Sequence, residues 1–534
     1  MVEYLHIGFV LLATMIVVAV AANRLRLPHS ILLVIAGVAL ALLPGLPRVE
    51  LAPELVLLLV LPPLIYSAGV AMSWREFRFN LRPIGLLAIG CVAFTTVAVA
   101  ASLHFLLGWA WAAGFVLGAI IAPPDVVAPL AIARRLGLVR RVLVVLEGEG
   151  LANDGTALVL YRFAVMAVTT GIFSIEKATA VFSAIVVGEI GYGIAVGWVM
   201  LRLRQAVADP HIEILLSLLT PYVAYWLPQE LGGSGVLATI AAGLYVSWNG
   251  PRLISSATRL QGIFFWDLVL YILEGFVFLL TGLQARTILE RASGVVTFDI
   301  LWASALTVAV IVIARFAWVF PATYLPRWLI PSVARRDPSP KWQLPFMIAF
   351  TGIRGVVSLA AALALPLTTS AGAPFPQRDM ILVITFAVIV VTLVGQGLLL
   401  PLVIQWLGLG RRAAAERDDE RAHELAGRSA AVHAALDRLE KLREERDIPD
   451  DLFDDLRAHQ QVRLRDLERI QAGLDVSQTA DEVRLDLIEA ERKSIHDALR
   501  DGQIIDETRR RIERDLDLRE AMLASTMRIE GVGV

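Results

Sequence analysis

Residues 118–135 read GAIIAPPDVVAPLAIARR, an apolar stretch interrupted at its centre by two prolines and an aspartate. Pro123 and Pro124 remove two backbone donors, so we expect a helix to break at this point. Proline suits the first turn of a helix, and we expect Pro124 to begin a second half-helix with Asp125 beside its positive end. A kink in one continuous helix is the alternative.

The composition divides the chain at about residue 410. The chain has 48 basic and 50 acidic residues, of which 25 basic and 19 acidic residues precede residue 411. This first part has long apolar runs, and the mean hydropathy of the whole chain is +0.67. We therefore predict a polytopic membrane domain over 1–410 and a charged cytoplasmic domain over 411–534. Nucleic-acid binding has no support, and a single cysteine excludes a disulfide framework.

The first part contains repeated apolar windows of membrane-spanning length. A window of about 20 apolar residues can cross a bilayer as a helix. We predict an all-α protein with thirteen transmembrane helices, at about 5–22, 28–46, 52–71, 83–107, 110–133, 142–167, 178–201, 211–227, 233–248, 262–284, 299–321, 342–366 and 380–408. The interrupted window 118–135 lies within the fifth of these spans.

The loops between these spans differ in basic charge. Loops after odd-numbered spans contain seventeen Lys and Arg residues, and loops after even-numbered spans contain five. Cytoplasmic loops are enriched in Lys and Arg. We therefore expect the N-terminus outside the membrane and the charged C-terminal domain in the cytoplasm.

A second interrupted span lies at residues 345–366, which read PFMIAFTGIRGVVSLAAALALP. Gly352 and Gly355 flank Arg354 there, so we expect a second break. Spans 5 and 12 cross the membrane in opposite directions. Interrupted spans in corresponding places of inverted repeats indicate the midplane site of a transporter. Because both breaks carry a charge, we favour a transport site over two kinks.

Span 6 carries acidic side chains on two faces, in RVLVVLEGEGLANDGTALVLYR at 141–162. At helical spacing, Glu147, Gly150 and Asp154 share one face, whereas Glu149 and Asn153 share another. We expect an ionisable carboxylate in the pathway on one face and a carboxylate neutralised by a basic neighbour on the other. A structural, hydrogen-bonded acid is the alternative for Asp154, and a structural salt bridge is favoured for Glu149.

These segments resemble the monovalent cation/proton antiporters of the CPA1 type, the relatives of NhaP and the eukaryotic Na+/H+ exchangers. Members of this family typically have a G-A-I-I-x-x-T-D-P-V-A stretch, an E-G-E-S-L-L-N-D stretch, an arginine in a later span and a G-x-R-G-A stretch. The corresponding segments here are GAIIAPPDVVA at 118–128, EGEGLAND at 147–154, VIVIARFAWVF at 310–320 and TGIRGVVSLA at 351–360. The resemblance covers the whole membrane domain.

The resemblance implies roles for the charged residues of spans 5, 6, 11 and 12. It implies inverted repeats with two crossed, interrupted helices, with Asp125 and Arg354 balancing the half-helix ends. Asp154 would bind the monovalent cation or the proton in turn. The remaining implied roles are a Glu149–Arg315 pair and an Asn153 side chain that braces the site.

Two positions depart from the family pattern. Pro124 replaces the threonine before the first aspartate, and Gly150 replaces the serine after the glutamate. In the family both positions usually help to bind the cation, and the threonine often does so through its carbonyl, which proline retains. Gly150 supplies no side-chain oxygen, so cation identity stays open. Asn153 in place of a second aspartate resembles the electroneutral exchangers.

The expected function is secondary-active exchange of Na+, or of K+ or Li+, for H+ across the bacterial inner membrane. Burial favours the neutral form of a carboxylate, and a bound cation favours its charged form, so proton and cation would compete for Asp154. We expect no enzymatic activity and no cofactor beyond the transported ions. The expected partners are the lipid bilayer and a second copy of the chain in a homodimer. The alternatives are a K+-selective exchanger, a cation channel and an intramembrane hydrolase.

Three further charged residues lie in predicted spans without an implied role. For Glu189 and Glu274 we expect structural hydrogen bonds to neighbouring helices, and for Arg162 a pairing with Glu189 or a position in the outer vestibule. The charged domain has Leu, Ile and Val at helical spacing, which predicts several amphipathic helices pairing across a homodimer. A solvated helical appendage is the alternative.

Overall fold

The computed structural model describes residues 2–25, 27–43, 51–171, 175–207, 209–292, 297–446, 448–472, 478–501 and 503–530. Within them the regular structure is helical apart from one isolated bridge, so the predicted all-α class is confirmed. The chain divides into two compact units, Met1–Arg411 and Arg412–Val534.

The first unit consists of α-helices and short π-helical segments. In chain order they are α1 (Val2–Leu25), α2 (His29–Ala41), π1 (Leu55–Val60), α3 (Leu61–Ala71), α4 (Trp74–Phe79), α5 (Leu81–Gly85), π2 (Leu86–Cys91), α6 (Val92–Leu107), α7 (Trp111–Ile121), α8 (Val127–Arg135), α9 (Arg140–Thr170), α10 (Ile175–Ala206), α11 (Pro210–Glu230), α12 (Val236–Leu253), α13 (Ser256–Leu283), α14 (Ala285–Ala292), α15 (Thr297–Leu329), α16 (Pro331–Arg336), α17 (Gln343–Phe350), α18 (Val356–Leu363), α19 (Arg378–Val390), π3 (Val391–Gln396) and α20 (Gly397–Trp406). Each predicted span coincides with one helix or with a run of consecutive helices. Residues 44–46 of the second predicted span lie outside the described residues.

Seven described helical segments are long and apolar enough to cross a membrane: His6–Leu25, Leu81–Leu107, Arg140–Thr170, Val181–Ala206, Ser256–Arg291, Phe298–Leu329 and Arg378–Trp406. Shorter apolar helices lie at His29–Ala41, Leu55–Ala71 and Trp111–Ile121. By length and composition, these helices indicate a multi-pass membrane protein. The count of thirteen crossings and the inverted repeat stay predictions.

Both expected helix breaks are present. Helix α7 ends at Ile121, one residue before the two prolines, and α8 begins at Val127. The expectation that Pro124 lies in the first turn of the second half-helix is wrong, because residues 122–126 form a longer non-helical connection. The second break separates α17 from α18 and spans residues 351–355, which include Gly352, Arg354 and Gly355.

An apolar cluster joins both breaks to helix α13. Val277 and Leu280 of α13 belong to the same buried cluster as Ala128 of α8, Ile353 of the second break and Val356 at the start of α18. Burial of these side chains stabilises the packing of α13 on the crossed segments and excludes water from that side of them. The polar groups of the breaks therefore need partners within the protein.

The second unit contains helices α21 (Leu409–Glu445), which begins just before it, α22 (Asp450–Gln471), α23 (Gln478–Arg500) and α24 (Asp506–Glu530). Fully buried Phe453 of α22 lies beneath the Arg443 guanidinium, whose Cζ is 4.3 Å from the ring centroid. Arg492 of α23 pairs with Asp517 and Glu520 of α24 at 2.7 and 2.8 Å. These helices agree with the amphipathic pattern, and their pairing across a homodimer stays a prediction.

Candidate functional site

The two helix breaks touch each other through their backbones. The amide N–H of Asp125 donates to the carbonyl of Ile353 over 2.7 Å. This bond joins the non-helical segment 122–126 to the non-helical segment 351–355. Spans 5 and 12 therefore cross at their interrupted centres, and the free backbone groups of one break are partly satisfied by the other.

Asp125 lies at the N-terminal ends of two half-helices. Its Oδ1 accepts a hydrogen bond of 2.9 Å from the N–H of Val127, the first residue of α8. Its carboxyl group also lies against Gly355, directly before α18, where an added Cβ would come within 2.5 Å of the Asp125 Cγ. Because helix N-termini carry partial positive charge, both ends stabilise a carboxylate at this point. Only glycine at position 355 leaves room for it.

Arg354 satisfies the carbonyl ends at the same crossing. Its Nε donates to the carbonyl of Ile121, the last residue of α7, and its Nη1 donates to the carbonyl of Gly352 over 2.5 Å. Its own backbone N–H donates to Thr392 Oγ1 in π3 over 3.0 Å. The side chain is buried. At the crossing, the cationic Arg354 therefore contacts helix C-terminal ends, and the anionic Asp125 lies at helix N-terminal ends.

Helix α9 presents Asn153 and Asp154 to the first break. Asn153 Nδ2 donates to the carbonyl of Pro124 over 2.8 Å, whereas the fully buried Asn153 Oδ1 has no partner among the described residues. Asp154 forms no hydrogen bond or ion pair among those residues, and it lies within electrostatic range of Asp125. The site therefore holds two neighbouring carboxylates and an unpaired amide oxygen. Oxygen atoms of this kind bind hard cations.

Glu149 lies on a different face of α9 from Asp154 and is neutralised. Its two carboxylate oxygens accept from Nη1 and Nη2 of Arg315 at 2.6 and 2.8 Å, with side-chain exposures of 0% and 2%. Arg315 also donates to the carbonyl of Ile348 in α17 over 3.0 and 3.1 Å. The arrangement joins α9, α15 and α17, and it leaves neither charge available to a passing ion.

Gly150 allows α9 to approach the first break. An added Cβ would lie 2.8 Å from Val126 Cγ1 and closer still to Val126 Cγ2. Val126 follows Asp125 directly, so Gly150 is next to the site. Since valine is stiff about χ1, a larger residue at position 150 would have to displace the break. This packing requirement was not apparent in the sequence.

Among the other charges in the predicted spans, the structure contradicts the expectation for Glu274 and one of the two alternatives for Arg162. Glu147 pairs with Arg134 of α8 at 2.6 Å. Arg162 donates to Gln229 of α11 over 2.7 Å, so the first of its two expected placements, the pairing with Glu189, is wrong, and the position in the outer vestibule stays a prediction. The expected structural hydrogen bond of Glu274 is also wrong, because this partly buried carboxylate forms none within the described part of the chain.

Glu189 of α10 caps helix α12. Its carboxylate accepts from the backbone N–H groups of Ser234, Gly235 and Leu237 at 2.5, 3.1 and 3.1 Å, and from the Ser234 hydroxyl at 3.0 Å. Helix α12 begins at Val236, so the buried charge satisfies N–H groups that lack intrahelical partners. The expected structural role of Glu189 agrees with this contact.

We predict that Glu189→Gln lowers the melting temperature of the detergent-solubilised protein, corresponding to about 1–2 kcal/mol of stability. The amide loses the charge that complements the helix N-terminus and one of the two acceptor oxygens. Glu230→Gln is the matched control, because this acid at the end of α11 is exposed. Equal melting temperatures for the two variants would contradict the capping role.

Two features of the site gave no sequence signal. Thr392 is one of two threonines in a mostly apolar stretch, and nothing in its surroundings marked it as a partner for Arg354. The unpaired oxygen of Asn153 depends on how its amide is oriented by Pro124, which only the packed structure defines.

Comparison with known proteins identifies the family. Residues 10–406 match the family model described as sodium/hydrogen exchanger, transmembrane. An uncharacterized Na+/H+ exchanger of Mycobacterium tuberculosis is 35% identical, over 96% of this chain and 95% of that protein. A sodium, potassium, lithium and rubidium/H+ antiporter of Bacillus pumilus is 30% identical, over 90% of this chain and 72% of that protein.

The fold is similar to that of the sodium proton antiporter MjNhaP1 from Methanocaldococcus jannaschii. The TM-score is 0.59, at 18% sequence identity, over 76% of this chain and 99% of that chain. The predicted NhaP-like helical fold is thereby confirmed. With the family model and the relatives, it follows that the chain belongs to the sodium/hydrogen exchanger family.

Proposed function

We propose that the protein is a secondary-active antiporter that exchanges a monovalent cation for H+ at Asp154. The observation that carries this proposal is a set of oxygens that have no partner among the described residues, the Asp154 carboxylate and Asn153 Oδ1, with Asp125 close by. The Asp154 side chain is partly buried, which disfavours its bare anion and favours the binding of either a proton or a cation. The two ions therefore compete.

This competition accounts for exchange without leakage. An Asp154 carboxylate that carries a proton or a cation is neutral and can pass from one side of the membrane to the other as the helices rearrange. A bare carboxylate is opposed by the free energy of moving an unpaired charge into an apolar environment. Each passage therefore requires a bound ion, and one charge moves in each direction.

The residues around Asp154 keep the ion-binding groups in position and undergo no chemical reaction. Asp125 and Arg354 balance the four helix ends at the crossing, and the amide of Asn153 fixes the Pro124 carbonyl against α9. No step requires a covalent intermediate or a cofactor. We accordingly propose a transporter without enzymatic activity.

Cation selectivity and membrane placement belong to the proposal as well. The names of the Bacillus relatives include sodium, potassium, lithium and rubidium, which supports a broad selectivity among monovalent cations here.

The asymmetry of basic loops supports an N-terminus outside the inner membrane and a cytoplasmic C-terminal domain. A homodimer is proposed on the family resemblance.

The function can be tested with purified protein in proteoliposomes that enclose a pH-sensitive dye. Addition of Na+, K+ or Li+ outside acidic vesicles should drive proton efflux that saturates with cation concentration. Because the exchange is proposed to be electroneutral, abolishing the membrane potential should leave the rate unchanged. Cation flux without proton counterflux would favour a channel, and exchange with K+ alone would favour the K+-selective alternative.

A selectivity prediction concerns Gly150, where no side-chain oxygen is present. We expect Gly150→Ser to favour Na+ and Li+ over K+ relative to Gly150→Ala, because its hydroxyl adds one oxygen near Asp154. The shift should be a few-fold in the ratio of apparent KM values, or about 1 kcal/mol. Alanine is the matched control, since it adds the same Cβ against Val126 without the hydroxyl. The same KM ratio in both variants would place position 150 outside the ion's coordination shell.

A further inference from the structure

A cavity of about 50 Å³ opens among α5, π2, α9, α15 and α17. Three arginines, Arg82, Arg141 and Arg327, line it, and no acidic residue does so among the described residues. The rest of the lining is mostly apolar and includes Leu86, Val145, Val319 and Ile348. The cavity therefore combines a basic rim with an apolar wall.

The three arginines share a single carboxylate. Asp337, in the segment between α16 and α17, accepts from Arg82 at 2.5 Å, from Arg141 at 2.6 Å and from Arg327 at 2.7 Å. The group keeps a formal charge of +2. Arg327 is 5% exposed and Asp337 13%, so water screens this excess charge only partly.

The helix ends at the cavity add to its positive potential. Arg82 lies in the first turn of the helical segment Leu81–Leu107, and Arg141 lies in the first turn of α9. Leu344 and Pro345, in the first turn of α17, complete this side of the lining. A cation at a helix N-terminus is unfavourable, and an anion there is favourable. Two arginines at such positions are therefore stabilised by additional negative charge.

The arginines retain hydrogen-bonding capacity. Arg82 and Arg141 each donate one hydrogen bond within the described residues, to Asp337, whereas a guanidinium has five N–H groups. Guanidinium groups match the tetrahedral oxygens of phosphate better than any other side chain. The exposed fractions of the two side chains, 28% and 35%, leave them accessible from outside the protein.

We propose that this cavity binds a phosphate-bearing anion, with Arg82 and Arg141 as its donors and Asp337 as an internal competitor for them. Arg327, which already donates to Asp337 and to the Thr323 carbonyl, contributes positive charge. The phosphate belongs either to the headgroup of an anionic lipid, whose chains would lie along the apolar surface, or to free phosphate. Basic pockets between membrane helices are suited to such headgroups. The site is separate from the proposed cation site and does not depend on transport.

The anion cavity is connected by direct contacts to the helices that hold the cation site. Ile348, in the wall of the cavity, supplies the carbonyl that accepts from Arg315, and Arg315 neutralises Glu149. Val145 lies one turn before Glu149 on α9. An anion that draws the first turns of α5, α9 and α17 together stabilises the positions of these groups.

The test measures binding of two phosphate probes to the purified full-length protein in a nonionic detergent. Dioctanoyl phosphatidic acid and inorganic phosphate are titrated separately, with dioctanoyl phosphatidylcholine as the control for the acyl chains. Saturable binding of phosphatidic acid alone identifies a lipid site, and comparable binding of both probes identifies a site for the phosphate group itself. Absence of saturable binding by either probe, or equal binding of phosphatidylcholine, overturns the proposal.

Four variants test where the probe binds. We expect Arg141→Gln to weaken binding about tenfold, as for one lost charge-assisted contact, and Arg141→Lys to retain most of it. Arg335→Gln removes the same charge from an exposed position of α16 and should change nothing. Asp337→Asn should tighten binding several-fold, because the competing carboxylate is gone. Equal affinities in Arg141→Gln and Arg335→Gln, or weaker binding in Asp337→Asn, contradict the assignment.

Discussion

Replacement of Asp154 with asparagine is expected to abolish cation-driven proton flux in proteoliposomes, with a loss of at least about a hundredfold. The amide has nearly the same shape as the carboxyl group but cannot exchange a proton for a cation. Asp154 forms no hydrogen bond or ion pair among the described residues, so the protein should still fold. The measurement is the initial rate of dye response after Na+, K+ or Li+ is added.

Glu147→Gln is the matched control for this prediction. It removes a carboxylate from the same helix two turns earlier, where Glu147 pairs with Arg134 away from the crossing. Transport should persist in that variant. A cation should also raise the melting temperature of the wild-type protein and leave that of Asp154→Asn unchanged, because a ligand stabilises only the protein that binds it. Exchange near the wild-type rate in Asp154→Asn would refute the role of Asp154.

Replacement of Arg315 with alanine is expected to destabilise the membrane unit by several kcal/mol. The substitution leaves Glu149 charged and fully buried without a partner, which typically costs about 3–5 kcal/mol. It also removes the donors to the Ile348 carbonyl. The measurement is the melting temperature and the yield of monodisperse protein in detergent.

Addition of Glu149→Gln to Arg315→Ala should recover part of the loss, because the stranded charge is removed. Recovery should stay incomplete, since the Ile348 carbonyl still lacks its donors. Arg286→Ala is the control: Arg286 forms an exposed pair with Glu290, and its loss should change stability by about 1 kcal/mol or less. Additive losses for Arg315→Ala and Glu149→Gln would show that their energetic coupling is absent.

The helix breaks were predictable because their causes are local. Two consecutive prolines end α7, and two glycines beside a buried arginine accompany the break between α17 and α18. The separation of Glu149 from Asp154 followed from helical spacing alone, since the two side chains point to different faces of α9. The structure places them as that spacing indicates, with only Glu149 bonded to arginine.

Features that depend on contacts between distant segments were not predictable. The start of α8 at Val127 follows from the crossing itself, where Asp125 bonds to Ile353 and to Val127 instead of lying beside a helix that begins at Pro124. The partner of Arg162 lies near the end of α11, and those of Glu189 lie in the turn before α12 and in its first turn. Charge and polarity indicate that a residue needs a partner, but not which of several neighbours supplies it.

Competition between cation and proton for one carboxylate is the central claim, and the pH dependence of the apparent KM for Na+ tests it most directly. Initial rates of Na+-driven proton flux are measured in proteoliposomes over a series of pH values, each with a full range of Na+ concentrations. Where Asp154 is mostly protonated, each unit of pH decrease should raise the apparent KM about tenfold, because protons occupy the shared site. A KM that stays constant over that range would mean separate sites for the two ions and would contradict the account.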